Sequence, residues 1–158
     1  MTGLAPIDGL VVLAILAKAI DYSAALLAMG GVLFSLIFAK RADASVLQLA
    51  WKLAVGAALF GLVVLAVRFG IRAARISGMG FEAATDPMML GFVWESPLGT
   101  AAIWRGIGEL AILAILASRI GQWIALVGTV AVAISFAQVG HALGEPRAAL
   151  AVLLVLHL

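Results

Sequence analysis

The two histidines are the residues of this sequence best suited to bind a metal ion or a cofactor. They are His141 and His157, and apolar residues surround both of them. An imidazole buried in hydrocarbon without a partner costs roughly 2 to 7 kcal/mol on transfer scales. If a helix begins at Pro146 or Arg147, His157 lies about 15 Å along it, close to the middle of a bilayer. We therefore expect His157 to bind a ligand, whereas His141 either binds one nearer the surface or lies among the lipid headgroups.

Methionines supply a second set of possible metal ligands. Met88 and Met89 are adjacent in a segment that contains glycine, proline and three of the carboxylates, whereas Met29 lies in an apolar run and is more simply explained as packing. The chain contains no cysteine, which excludes thiolate metal sites and disulfides. Imidazole and thioether are then the ligands that suit copper, particularly Cu(I). The sequence thus predicts copper ligands at His141, His157, Met88 and Met89.

Several other polar residues lie within apolar segments. Ser135, Gln138 and His141 recur at every third position, which places them on one face of a helix. Such a face either forms hydrogen bonds between helices or lines an ion path. Glu109 lies deep in another apolar segment and either pairs with Arg105, four positions earlier, or takes part in ion passage. We predict Glu109, Gln138 and Ser135 as neighbours of the metal ligands or as parts of an ion path.

The composition identifies the kind of protein that must hold these residues in place. Hydrophobic residues make up 65% of the chain and charged residues 11%, and the mean hydropathy is +1.22. A soluble domain is about half apolar and a quarter charged. The composition predicts an all-α fold, a polytopic transmembrane helical bundle that forms a single membrane domain. A net charge of +2 without a basic tract argues against a nucleic-acid partner.

Hydrophobic segments give the expected organisation of this bundle, since a spanning helix needs about 20 apolar residues. We predict four complete spans, the start of a fifth and one extramembranous loop at residues 69–97. The spans are expected at about residues 10–39, 46–67, 98–117 and 123–141, with the incomplete one at 147–158. Within the first span, Lys18 and Asp21 are three positions apart and can pair. The N-terminus lacks the features of a cleaved signal peptide, and the short last segment predicts that the natural protein continues beyond Leu158.

Three stretches of the sequence form recognisable motifs. They are "AKAIDYSAALLAMGGVLFSLIFA" at 17–39, "ESPLGTAAIWRG" at 95–106 and "VGHALGEPRAALAVLLVLHL" at 139–158. These resemble, in turn, the glycine-containing first span of the copper resistance protein D family, its Thr-Pro-x-Gly-x-x-Trp-x-x-Arg motif, and its Gly-His-Ala segment followed by Leu-His-Leu. Ser96 stands where the second motif usually has threonine. Members of the family usually continue through further spans after the second histidine, and this sequence does not contain those spans.

This resemblance implies a bacterial inner-membrane protein that handles copper. It implies that a small soluble periplasmic protein delivers the metal and that the 69–97 loop faces the periplasm. His141 and His157 match the positions of the family's histidines. In this interpretation the loop methionines and His141 receive the ion near the surface, and His157 holds it deeper in the membrane.

Two other functions are consistent with the same residues. One is a haem b subunit of an electron-transfer protein, in which two imidazoles ligate one iron. The separation in depth of His141 and His157, about 15 Å, argues against one haem shared by this pair, although a histidine beyond this sequence could complete a site. The other is a membrane scaffold or assembly subunit in an oligomer or a larger complex, in which polar residues serve helix packing. We expect no enzymatic activity, because no nucleophile–base arrangement or phosphate-binding loop is evident.

Overall fold

A computed structural model describes residues 8–116 and 118–138 of the chain. Within these ranges the structure is helical and contains no β-strand. Two short 3₁₀ helices, Gly80–Thr85 and Ala114–Leu116, accompany the α-helices. The α-helices are α1 (Gly9–Ile37), α2 (Ala44–Ser77), α3 (Pro87–Trp94), α4 (Pro97–Leu113) and α5 (Arg119–Ala137). The predicted all-α fold is confirmed for this part of the chain, and the segment predicted at 147–158 lies outside it.

Three of the described helices, α1, α2 and α5, are long and apolar enough to cross a membrane. Helix α2 has 34 residues and a length of about 51 Å, which exceeds the roughly 30 Å of hydrocarbon in a bilayer. Helix α4 has 17 residues and a length of only about 25 Å. The structure therefore supports a helical membrane protein with three candidate spans, whereas the predicted count of four spans is not confirmed.

The segment predicted as a loop at residues 69–97 is largely helical. It begins with the last turns of α2, which continue to Gly78, where φ is +68°. Glycine adopts this left-handed conformation without the steric cost of a Cβ atom and so ends the helix. A 3₁₀ helix and α3 follow before Ser96 caps α4, with Pro97 at its first position. The residue types explain this cap, because Ser accepts a backbone N–H bond and Pro lacks the N–H that would be unpaired there.

Small residues bring the helices close together. Helix α1 packs mainly on α2, helix α4 packs mainly on α5, and contacts of α2 with α4 and of α1 with α5 join the two pairs. A Cβ atom on Gly108 of α4 would lie 2.6 Å from the carbonyl oxygen of Gly128 of α5. Such close approach between backbones is typical of helix packing in membranes. Larger apolar side chains such as Val63, Ile120 and Val127 are exposed on the outer surface, where lipid would contact them.

Candidate functional site

The interior of the bundle contains a group of charged and polar residues contributed by four helices. We call this group the buried charge cluster, and it consists of Asp21 (α1), Arg68 (α2), Arg105 and Glu109 (α4) and Ser135 (α5). Asp21 and Glu109 have no exposed surface, and Arg105 is 3% exposed. Ionisable residues at such positions in a membrane protein are rare and generally have a function or a specific partner.

Asp21 is the centre of the ion pairs in the buried charge cluster. Its Oδ2 atom accepts hydrogen bonds from Nη1 of Arg68 and from Nη1 of Arg105, the latter at 3.4 Å. Its Oδ1 atom accepts none from the described residues. One carboxylate thus lies between two guanidinium groups, and these three groups together carry a net positive charge.

The sequence-based pairing of Lys18 with Asp21 is absent from the part of the chain that the structure describes. Lys18 is exposed, and its Nζ atom lies 5.4 Å from the centroid of the Tyr22 ring. Helices α2 and α4 bring guanidinium groups to the buried carboxylate instead. A guanidinium group is more weakly hydrated than an ammonium group and forms buried ion pairs more readily.

Arg105 is held in place by α5. Its Nε atom donates a hydrogen bond to Oγ of Ser135 at 2.8 Å, and Ser135 in turn donates to the carbonyl oxygen of Val132 at 2.6 Å. The guanidinium carbon lies 4.2 Å from the centroid of the Phe136 ring, where a cation–π interaction is favourable. Ser135 therefore forms the interhelical hydrogen bond that was one of its two predicted roles.

Glu109 is the exception in this cluster, because its carboxylate has no hydrogen-bond partner among the described residues. Neither of its oxygen atoms forms a hydrogen bond with any described residue. Arg105 does not pair with it, since the Arg105 side chain is directed to Asp21 and Ser135. The Glu109 carboxylate faces α2 at Gly61, where a Cβ atom would lie 2.5 Å from Oε1. An ionised carboxylate buried in this way is unfavourable unless a cation or another polar group accompanies it.

The other predicted site residues lie apart from the buried charge cluster. Met88 is 65% exposed and Met89 is partly buried, both in the first turn of α3. Asp86 caps this turn by accepting the backbone N–H of Met89 at 2.9 Å. Gln138 caps the C-terminal end of α5 and is partly buried.

The predicted ligands His141 and His157 lie outside the described residues. Within residues 8–116 and 118–138, no three His, Asp or Glu side chains come together as a metal site. The described part of the chain therefore does not test the predicted set of four copper ligands.

Sequence reasoning did not find the central role of Asp21 and Arg68. The spacing of Arg68, Arg72 and Arg75 after an apolar segment is typical of a helix that extends beyond the headgroups with a basic face, and it does not indicate an ion pair. A usable signal was present, because Asp21 and Arg105 each lie in an apolar segment and an isolated charge there needs a partner of opposite sign.

Comparisons with known proteins connect this bundle to one family. The sequence profile of the copper resistance protein D-like, N-terminal domain family matches residues 7–156. The match covers all of the helices described above and extends beyond them to residue 156, so it includes His141 and ends before His157. No curated protein matches the chain, and no solved structure matches it.

Proposed function

The chain belongs to the copper resistance protein D-like, N-terminal domain family, and on this premise we propose that it passes copper ions into or across the inner membrane through histidine and methionine ligands. Copper is the cargo, and no chemical reaction accompanies its passage. The proposed ligands are Met88 and Met89 near the surface, then His141, then His157. The observation that carries the proposal is the buried carboxylate of Glu109, which has no partner among the described residues.

The electrostatics of the buried charge cluster favour one side of α4 for a cation. Arg68 and Arg105 share a single carboxylate, so this part of the interior repels a positive ion. Glu109 lies one helical turn from Arg105, and its oxygen atoms, which no described residue pairs with, face α2. A cation beside Glu109 would supply the partner that the described residues do not provide, and the lack of a side chain on Gly61 lets the carboxylate lie close against α2. The proposed path therefore runs along the interface of α2 and α4.

The methionines on α3 fit the first step of this path. Met88 is the more exposed of the two, so its thioether is accessible to a soluble copper carrier, which we propose as the periplasmic partner. A thioether is uncharged and binds Cu(I) more strongly than it binds hard cations. It can thus accept copper selectively without a nearby carboxylate. The imidazoles would receive the ion next, since a charged ion in the bilayer needs ligands at intervals.

Copper uptake into proteoliposomes tests the proposal. We expect Glu109→Gln to lower the uptake rate of Cu(I) at least about tenfold, because a neutral amide removes the attraction at the α2–α4 interface. Glu95→Gln is the matched control, since Glu95 is exposed at the end of α3. The double variant with Met88→Leu and Met89→Leu should raise the copper concentration needed for half-maximal uptake. Met79→Leu should not, although Met79 is 63% exposed.

The histidines are tested in the same assay. Replacing His141 and His157 together with leucine should abolish uptake and remove copper that copurifies with the protein. If these variants and Glu109→Gln all transport copper at the rate of the unmodified protein, the proposal is wrong. A Soret absorption band that depends on either histidine would instead assign the imidazoles to haem b.

A further inference from the structure

A basic cleft opens at the end of the bundle where α2 ends and α4 begins. It has a volume of about 420 Å³ and lies between α1, α2 and the first turn of α4. Four of the ten basic residues of the chain line it, and none of the carboxylates in the described residues does. They are Lys18, Arg68, Arg72 and Arg75. A cavity of this size is typical of small-molecule sites, and this one is electrostatically suited to an anion.

Three of these four positive charges are uncompensated among the described residues. Arg68 is paired with Asp21 at the inner end of the cleft. Lys18, Arg72 and Arg75 form no ion pair within the part of the chain that the structure describes. Like charges in one cleft repel each other, so a bound anion would stabilise the arrangement.

The depth of the cleft in the membrane indicates the kind of anion. Arg68, Arg72 and Arg75 occupy successive turns of α2 after its most apolar part, where the helix leaves the hydrocarbon. We therefore expect the cleft to lie level with the phosphate groups of the lipids. Apolar side chains, including Ile71, also line it and could contact the upper part of an acyl chain. Basic pockets between membrane helices bind anionic lipid headgroups in this way.

We propose that the basic cleft binds the headgroup phosphate of an anionic phospholipid. The phosphate oxygens accept hydrogen bonds from Arg72 and Arg75, and Lys18 contributes a third positive charge from α1. This site is separate from the proposed copper path, because its charges repel a cation and attract an anion. Its occupation compensates part of the positive charge at this end of the bundle.

Lipid binding to the full chain tests this proposal. The purified protein is titrated with phosphatidylglycerol in mixed micelles, and bound lipid is counted by native mass spectrometry. Phosphatidylcholine serves as the net neutral lipid with the same phosphate group, and inorganic phosphate serves as the soluble anion. We expect phosphatidylglycerol to bind more tightly than either, with an affinity that falls as ionic strength rises.

Two double variants distinguish the cleft from a general attraction of basic residues to lipid. Arg72→Gln with Arg75→Gln should weaken phosphatidylglycerol binding about 25-fold, since each basic residue near an anionic surface contributes about fivefold. Both side chains are exposed, so the variant should fold. The matched control is Lys40→Gln with Arg41→Gln, two exposed basic residues in the turn between α1 and α2, and it should leave the tight binding unchanged.

Three results would overturn the lipid assignment. An equal loss of phosphatidylglycerol affinity in the two double variants would mean that the cleft is not the binding site. Equal affinity for phosphatidylcholine would mean that the net charge of the headgroup is not recognised. Tighter binding of inorganic phosphate than of phosphatidylglycerol would assign the cleft to a soluble anion. None of these results affects the proposed copper path, which depends on other residues.

Discussion

Replacing Asp21 with asparagine should destabilise the folded bundle by about 3 kcal/mol. Removing one partner of a buried ion pair costs about 3 to 5 kcal/mol, because the other charge stays buried without compensation. Arg105 bears most of this cost, since it is 3% exposed, whereas the side chain of Arg68 is 13% exposed and borders the basic cleft. Arg105 also keeps its contacts with Ser135 and Phe136. These retained contacts place the expected value at the lower end of the range.

Unfolding of the purified protein in mixed micelles, induced by added dodecyl sulfate and followed by tryptophan fluorescence, measures this loss. Asp43→Asn is the matched control, because Asp43 is exposed and its side chain makes no capping hydrogen bond. We expect it to change the free energy of unfolding by less than about 0.5 kcal/mol. If Asp21→Asn costs no more than this control, the ion pairs do not stabilise the bundle and the reasoning fails.

A double variant measures the interaction of Asp21 with Arg105 apart from the contribution that each residue makes on its own. Arg105→Met removes the buried guanidinium group, and a methionine side chain fills similar space without charge. Combined with Asp21→Asn, it should cost less than the sum of the two single variants, because the uncompensated charge is then gone. Additive costs would show that Asp21 and Arg105 do not interact.

The contacts of α4 with α5 give two further predictions, measured by the same unfolding assay. Gly108→Ala should lower the free energy of unfolding by about 1 to 3 kcal/mol, because its new Cβ atom would lie 2.6 Å from the carbonyl oxygen of Gly128. Gly56→Ala is the matched control and should not destabilise the protein, since there is open space around Gly56. Equal effects of the two alanines would contradict close packing at Gly108. Ser135→Ala should cost about 1.5 to 3 kcal/mol, since it removes a hydrogen bond to the charged group of Arg105. An unchanged free energy of unfolding would show that this hydrogen bond contributes nothing to stability.

The buried charge cluster also bears on how copper would be handled. Asp21, Arg68 and Arg105 hold three helices together, so we expect them to stay fixed while an ion passes. Glu109 is free of such contacts within the described residues and is the cluster member whose charge an ion can compensate. Asp21→Asn should therefore lower the free energy of unfolding in the micelle assay, whereas Glu109→Gln should lower the rate of copper uptake in the proteoliposome assay.

The sequence by itself determined the features that depend on composition and on short-range spacing. Its hydropathy predicts helices in a membrane, because backbone groups in lipid must form hydrogen bonds within their own segment. The cap of α4 follows from the chemistry of Ser96 and Pro97 alone. The motifs around residues 95–106 and 139–158 were sufficient to identify the family, whose profile matches residues 7–156.

Only the tertiary structure decided which charges meet. Spacing along one helix allows Lys18 to pair with Asp21 and Arg105 with Glu109, yet neither pair forms within the described residues. Asp21 instead pairs with Arg68 and Arg105, which are 47 and 84 positions away in the sequence. The physical reason is that a buried charge takes the partner that helix packing brings to it, and packing depends on close contacts between distant small residues. The Glu109 carboxylate has no partner in the part of the chain that the structure describes, which is a result of that packing and has no signature in the local sequence.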